Sequence, residues 1–327
     1  MNVVLSSPAA SISKENNLFK ITTKEGAQLL HPKDIDSITI SKSAAITSDA
    51  ILLAIENEID VFFVDSLGHP IGKIWSIKYG SISTIRQKQI EFLYSPRSVQ
   101  WVKELIIEKI NNQITILYSL IAEPEPNPSH INLINTTVKA LKEHIHQIQA
   151  IKGDLVSDIA PSLRGWEGAA SRKYFQTIMH FIPEPYKTNK RTLHPPEDPF
   201  NATLSYLYGI LYSRCEAALI KAGLDPYIGI FHRDNYNRPA LVFDFIEKFR
   251  YWADFVCIFL FKSNAFIEEC FTKENNICYL DTLGKRIVIQ SLNDYLAEII
   301  TINSRERSRL THIQEEAHKL ANLFLKS

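Results

Sequence analysis

The side chains most suited to chemistry gather in the second half of the chain. Gly229-Ile230-Phe231-His232 ends an apolar run on an imidazole. After the polar segment 233–238 and Pro239 comes Phe243-Asp244-Phe245-Ile246-Glu247. The spacing, three apart inside an otherwise apolar helix pattern, puts Asp244 and Glu247 on one helix face. Carboxylates on a helix that must be buried need a partner, and a metal ion is a natural one. A third acid, Glu167, stands in Arg164-Gly165-Trp166-Glu167-Gly168-Ala169-Ala170-Ser171-Arg172-Lys173-Tyr174-Phe175. Helical spacing puts it with Ala170, Ser171, Tyr174 and Ile178, and its small neighbours would let another backbone approach. Asn201, Ser205, Tyr208 and Tyr212 form a polar stripe, either a solvated face or the lining of a phosphate cleft.

Singly, each signal has a plain structural explanation. Glu167 can be a surface acid, His232 a structural histidine, and acid pairs are common on helices. Convergence changes this. Two carboxylates 5 Å apart repel by roughly 3 kcal/mol at an effective dielectric near 20, and a divalent cation reverses the sign. Carboxylates with one imidazole suit Mg²⁺ or Mn²⁺, ions that polarise a phosphate and stabilise an attacking or leaving oxygen.

The elements that must position these groups divide in two. Up to about residue 84 the pattern is strand-rich. Ser11-Ile12-Ser13 and Leu18-Phe19-Lys20-Ile21 flank a hairpin turn at Glu15-Asn16-Asn17, and Ile38-Thr39-Ile40 and Asp60-Val61-Phe62-Phe63-Val64-Asp65 read as strands. Ser48 is placed as the cap of one helix. From Ser81 the period becomes helical. Ser95-Pro96 starts a helix carrying Val99, Val102, Ile106, Ile110, Ile114 and Leu117. Residues 123–128 read as a connector. Asp198 or Asn201 caps a helix that Gly223 stops, and Phe245, Phe249, Trp252 and Val256 face a core. A last helix is placed from Ser304, with Leu310, Ile313, Ala317, Leu320 and Phe324 packing inside. The expectation is α+β: a β-rich unit over 1–84, then a larger all-α unit over 85–327.

At 327 residues, 45% hydrophobic and 22% charged, the chain is globular and can bury a sizeable core. Thirty-six basic residues balance 36 acidic ones, which excludes a strongly basic nucleic-acid coat but not local basic patches. Cys215, Cys257, Cys270 and Cys278 lack finger or redox-pair spacing, as expected of reduced thiols in a cytoplasmic protein. Met1 to Ala10 lacks a secretory pattern, and Phe255 to Phe261 is too short to span a bilayer.

Taken in order, these segments resemble the CRISPR spacer-acquisition integrase family, the first-numbered of the CRISPR-associated proteins. The resemblance runs through Gly165-Trp166-Glu167-Gly168, Asp198-Pro199-Phe200-Asn201, Leu204-Ser205-Tyr206-Leu207-Tyr208-Gly209, the stretch from Ala222 to His232, Arg238 to Glu247 and Arg305-Glu306-Arg307-Ser308. It implies an N-terminal β domain that pairs two copies into a homodimer, and a helical catalytic domain. It implies a site of one Glu, one His and one later carboxylate: Glu167, His232 and Glu247 as ligands of Mg²⁺ or Mn²⁺, with Asp244 as an acidic partner that orients His232 or a water. It also implies a dimer of the small second adaptation protein as partner, and double-stranded DNA with free 3′ ends and CRISPR repeat DNA as substrates. The reaction expected is attack of a 3′-hydroxyl on a phosphodiester.

With a neutral chain, DNA must be gripped locally. The basic residues placed for this are Arg172 and Lys173, the loop cluster Lys187, Lys190 and Arg191, and Arg238 and Arg250 on either side of the acidic motif. Two other functions stay open at this point: a metal-dependent endonuclease on branched DNA, and a DNA-binding scaffold without catalysis.

Overall fold

The computed structural model describes residues 1–327 apart from 6, 36, 42, 65–69, 75–80, 123, 189–190, 193–194, 233–237 and 327. The class is α+β, and two units separate at the junction of Thr84 and Ile85.

The first unit holds β1 (Asn2–Leu5), β2 (Ser11–Glu15), β3 (Leu18–Thr23), β4 (Gly26–Leu30), β5 (Ser37–Ser41), β6 (Ala45–Ile46), α1 (Ser48–Glu56), β7 (Asp60–Val64) and β8 (Pro70–Lys73). They form two four-stranded sheets, ordered β1-β5-β7-β8 and β4-β3-β2-β6. Asn16 and Asn17 take positive φ at 50° and 62°, as a two-residue hairpin turn requires. Inward alternation buries Ile12, Phe19, Ile38, Ile40 and Val61 around Ala50 and Ala54 of α1. The helix cap is Thr47, one residue before the expected Ser48, because the Thr47 hydroxyl accepts from the Ala50 N–H.

The second unit starts inside α2 (Ser81–Leu93) and continues with α3 (Pro96–Ser119), α4 (Pro128–Ala150), α5 (Val156–Ile178), α6 (Pro199–Lys221), α7 (Ala240–Phe245) and α8 (Arg250–Lys262). After these come β9 (Phe271–Glu274), β10 (Ile277–Leu280), α9 (Thr282–Ala297), β11 (Ile299–Ile302), β12 (Arg305–Ser308) and α10 (Arg309–Leu325). Trp252, Tyr174, Phe200, Phe231, Phe245, Phe261 and Phe324 are sealed in one core. Each contributes roughly 1.5–3 kcal/mol of transfer free energy.

The expectation of an all-α second unit is corrected by its two antiparallel hairpins, β9–β10 and β11–β12. Their turns, Asn275-Asn276 and Asn303-Ser304, repeat the paired positive φ of the first hairpin. Ser304 therefore lies in a turn, and the last helix begins after Ser308, whose hydroxyl accepts from the Thr311 N–H. Its apolar face packs inward, with Phe324 4.8 Å from Phe92 between ring centroids. At the start of α3 the Ser95 hydroxyl bonds back to the Phe92 carbonyl, so Pro96 sets that terminus without a side-chain cap. Asp198 caps α6 through the Asn201 N–H, and Gly223 leaves it at φ +80°. Among the described residues no helix is long and apolar enough to cross a membrane. All four cysteines are free and buried.

Candidate active site

Asp244 and Glu247 stand three apart on one helical run: α7 ends at Phe245, a 3-10 turn covers Ile246–Lys248 with Phe245 and Ile246 both right-handed helical, and α8 begins at Arg250, after Phe249 departs from that geometry at φ −119°. The two carboxylates nonetheless take different tasks. Asp244, fully buried, accepts at Oδ2 from the N–H groups of Ile230 (2.7 Å) and Phe231 (3.0 Å). At Oδ1 it accepts from the His232 N–H (3.1 Å) and from His232 Nδ1 (2.7 Å). Both oxygens are thus spent on the turn that carries the imidazole. An Nδ1 proton donated to Asp244 leaves the lone pair of His232 on Nε2. The imidazole pKa lies above its ordinary value: burial opposes the charged form, but the hydrogen bond and charge of Asp244 outweigh it, with Glu247 and Glu167 adding. The turn is tight as well. A Cβ on Gly229 would lie 2.6 Å from the Ala240 Cβ and 2.9 Å from the His232 carbonyl oxygen.

Glu247 faces a cavity of about 300 Å³, whose lining also includes Glu167, His232, Lys109, Arg250 and Tyr208. Three segments supply its chemistry. Glu167 comes from the middle of α5, His232 from the turn after α6, and Glu247 from the 3-10 turn. Two cations meet the acids. Arg250 Nε donates to Glu247 Oε1 at 2.8 Å, and its guanidinium lies over the Tyr208 ring at 4.7 Å. Lys109 Nζ stands 2.5 Å from Glu167 Oε1 and 2.7 Å from Glu247 Oε2, with side chains only 11%, 17% and 3% exposed for Lys109, Glu167 and Glu247. The Glu247 Oε2 contact lacks hydrogen-bond direction, so that buried oxygen accepts no hydrogen bond and its attraction to Lys109 is Coulombic. Burial would raise the Glu247 pKa, but Arg250 and Lys109 overcome it and hold the carboxyl down at about 2.

Behind the cavity Asp254 of α8 accepts from Tyr208 (2.5 Å) and Tyr174 (2.9 Å). Burial lifts its pKa to about 6, against the opposing hydrogen bonds of the two tyrosines and the charges of Arg250 and Arg191. The stripe Asn201, Ser205, Tyr208 and Tyr212 is not a solvated face: Asn201 is buried and the other three are half-buried, all are hydrogen-bonded, and Tyr208 and Asn201 line this cavity and a second one. Arg191 donates to Asn201 Oδ1 (2.8 Å) and Ser205 Oγ (3.2 Å), and Tyr212 donates to the Pro239 carbonyl.

Of the basic residues expected to grip DNA, Arg172 (exposed), Lys173 (half-buried) and Arg191 line one cavity, the second, of about 660 Å³, which meets the first at Ser171, Phe175 and Arg191. The loop cluster is not one exposed patch: Lys187 pairs with Glu184 at 2.5 Å, Arg191 turns inward, and Lys190 lies outside the described residues. Arg238 is exposed, whereas Arg250 is held on Glu247. Among the described residues, a Cβ on Gly165 would meet nothing within 4 Å and one on Gly168 only the Arg172 guanidinium at 3.8 Å. Lys109 was missed although its signal was present. It occupies an inward position of α3 in the row Val102, Ile106, Lys109, Gln113, Ile116, where a lysine is out of place.

As donor types, two carboxylates and an imidazole nitrogen with a free lone pair fit Mg²⁺ or Mn²⁺, and Glu247 Oε2 is a buried acceptor without a donor. As placed, no group of three or more His, Cys, Asp or Glu side chains among the described residues is arranged to hold an ion. An ammonium bridges the carboxylates instead.

The family model for CRISPR associated protein Cas1 matches residues 3–294. A CRISPR-associated endonuclease Cas1 of Archaeoglobus fulgidus is 31% identical over 305 residues, covering 90% of this chain and 88% of that protein. A Cas1 protein of Methanobrevibacter ruminantium is 30% identical, covering 86% and 84%. Among solved structures, a chain of a partial Cas6-RT-Cas1–Cas2 complex superposes with a TM-score of 0.76 at 23% identity, covering 100% of this chain and 96% of that one. A casposase bound to integration product gives 0.72 at 21% identity, covering 99% and 95%. The chain belongs to the Cas1 family of CRISPR-associated proteins.

Proposed function

We propose that this chain is the integrase of CRISPR adaptation, joining captured DNA fragments to a CRISPR array. The observation that carries this is the meeting of Glu167, His232 and Glu247, from separate segments, on one cavity bordered by basic side chains. The relatives named as endonucleases and the casposase with its integration product support phosphodiester chemistry. In the proposed reaction the 3′-oxygen of the fragment bonds to a target phosphorus, the bond from that phosphorus to its 3′-oxygen breaks, and the leaving oxygen takes a proton. Glu167, Glu247 and His232 would hold Mg²⁺ or Mn²⁺, which when bound would offset charge on the phosphoryl oxygens. His232, aimed by Asp244, presents Nε2 either to that ion or to the proton of the attacking hydroxyl. Arg250 and Tyr208 keep Glu247 in place, and Arg172 and Lys173 on the adjoining cavity are the side chains we assign to the DNA backbone.

The partners proposed are a second copy of the chain, paired through the β unit, and a dimer of Cas2. The solved Cas1–Cas2 complexes support the second of these. The proposed substrates are double-stranded DNA with free 3′ ends and CRISPR repeat DNA, in the cytoplasm. The test is a supercoiled-plasmid assay in Mn²⁺ or Mg²⁺ with labelled duplex, with and without Cas2, comparing wild type with Glu167→Ala. Label joined to plasmid by wild type alone supports the proposal. Nicking without joining indicates a hydrolytic endonuclease, and equal joining by the variant removes Glu167 from the site.

A further inference from the structure

Of the two cations on the acidic pair, one is fixed and one is replaceable. Arg250 makes a directed Nε hydrogen bond, and its guanidinium is stacked on Tyr208, which Asp254 anchors. Its planar fork is committed to that geometry. Lys109 reaches the same acids on a flexible four-carbon stem, meets Glu247 Oε2 without hydrogen-bond direction, and joins carboxylates from two different elements. Burying an ammonium in the apolar row of α3 is costly, and nothing in helix packing requires it. The cost is offset only because two acids face each other there.

We infer that Lys109 is a built-in counter-ion for the metal-free site, competing with the divalent ion for Glu167 and Glu247, so that metal loading displaces its ammonium. This rests on the proposal that those acids hold a metal. It accounts for a feature of the site that the proposal leaves unexplained: the acids are near enough to share a cation, yet among the described residues no three ligand side chains are arranged to hold an ion. The competing charge would weaken metal affinity, while sparing the metal-free protein an unpaired Glu167 and a Glu247 with a cation on one oxygen only. It would also favour a small doubly charged ion over a monovalent one, since only the former exceeds the attraction of the ammonium it replaces.

The experiment is a Mn²⁺ titration of the full chain followed by electron paramagnetic resonance of the free ion, on wild type, Lys109→Met, Lys109→Gln and Glu167→Ala. Thermal melts in EDTA and in Mn²⁺ accompany it. Removing the lysine should tighten Mn²⁺ binding by about tenfold or more, whereas Glu167→Ala should abolish it. In EDTA the lysine variants should melt below wild type, and Mn²⁺ should raise their melting temperature by more than it raises that of wild type. Wild-type binding that is unchanged or weakened in both lysine variants overturns the inference and leaves the metal proposal standing. Absence of Mn²⁺ binding in wild type and variants alike overturns both. Should a lysine variant fail to fold in EDTA, recovery on refolding with Mn²⁺ supports the inference, and failure in both media contradicts it.

Discussion

Asp244→Asn offers a direct test of how His232 is aimed. The carboxylate spends each oxygen on two donors: Oδ2 on the Ile230 and Phe231 amides, Oδ1 on the His232 amide and ring. An asparagine keeps one acceptor oxygen. With that oxygen on the Ile230 and Phe231 amides, its NH₂ faces the His232 N–H, which loses its acceptor, and the ring Nδ1, which can accept by moving its proton to Nε2. One N–H left unsatisfied costs about 1–3 kcal/mol, and the surviving pair loses the assistance of charge, about 1 kcal/mol each. The expected destabilisation is therefore about 3–5 kcal/mol if the turn cannot relax, and about half that if it can. Urea unfolding followed by tryptophan fluorescence measures it, with the m-value checking that the transition keeps its extent. The same variant should weaken Mn²⁺ binding about 10–100-fold, as loss of a partner that orients a ligand does. Asp244→Ala, which removes all four bonds, should be no milder. A loss below about 1 kcal/mol with unchanged Mn²⁺ affinity would refute the claim that Asp244 holds the turn.

Gly229→Ala should cost about 1–3 kcal/mol in thermal unfolding, because its Cβ would stand 2.6 Å from that of Ala240 and 2.9 Å from the His232 carbonyl; an unaltered melt would mean the turn yields freely. Asp254 should give stability a pH slope of its own. Its folded pKa is raised from 3.8 to about 6, so the folded state holds the proton more tightly than the unfolded chain. The contribution is then complete below the unfolded pKa and lost as pH rises through about 6, a change of about 3 kcal/mol. Stability of wild type minus that of Asp254→Asn should fall by about that amount between about pH 3.5 and pH 7, and a flat difference would exclude this linkage.

The local rules that read well in the sequence are those with steric or capping causes. The Asn16-Asn17 turn, the start of α6 at Asp198 and its end at Gly223 follow from φ preferences and a single side-chain acceptor. The inward face of α8 at Trp252 and Val256 follows from periodicity. The same hairpin rule, applied to Asn275-Asn276 and Asn303-Ser304, would have shown the later strands; their short, mostly exposed runs lack the apolar alternation that marks a core strand. Lys109 and Arg191 were hidden for a different reason. A basic residue defaults to solvent, and only tertiary approach of Glu167 and Glu247 to Lys109, or of Asn201 and Ser205 to Arg191, turns it inward. The different partners of Asp244 and Glu247 also depend on tertiary approach, of the turn at Ile230–His232 to the one and of Lys109 to the other.

That division of partners has a functional logic. Asp244 is sealed against three backbone amides and the His232 ring, while Glu247 answers to Arg250 on one oxygen and to Lys109 on the other. The charge within the cavity can therefore be exchanged, ammonium for divalent ion, without loosening the backbone that positions the imidazole. On this account variants at Lys109 and Asp244 act on independent terms, so their effects on stability in EDTA should add within about 0.5 kcal/mol. A larger coupling energy in the double variant would mean that the sealed carboxylate feels the cavity charge.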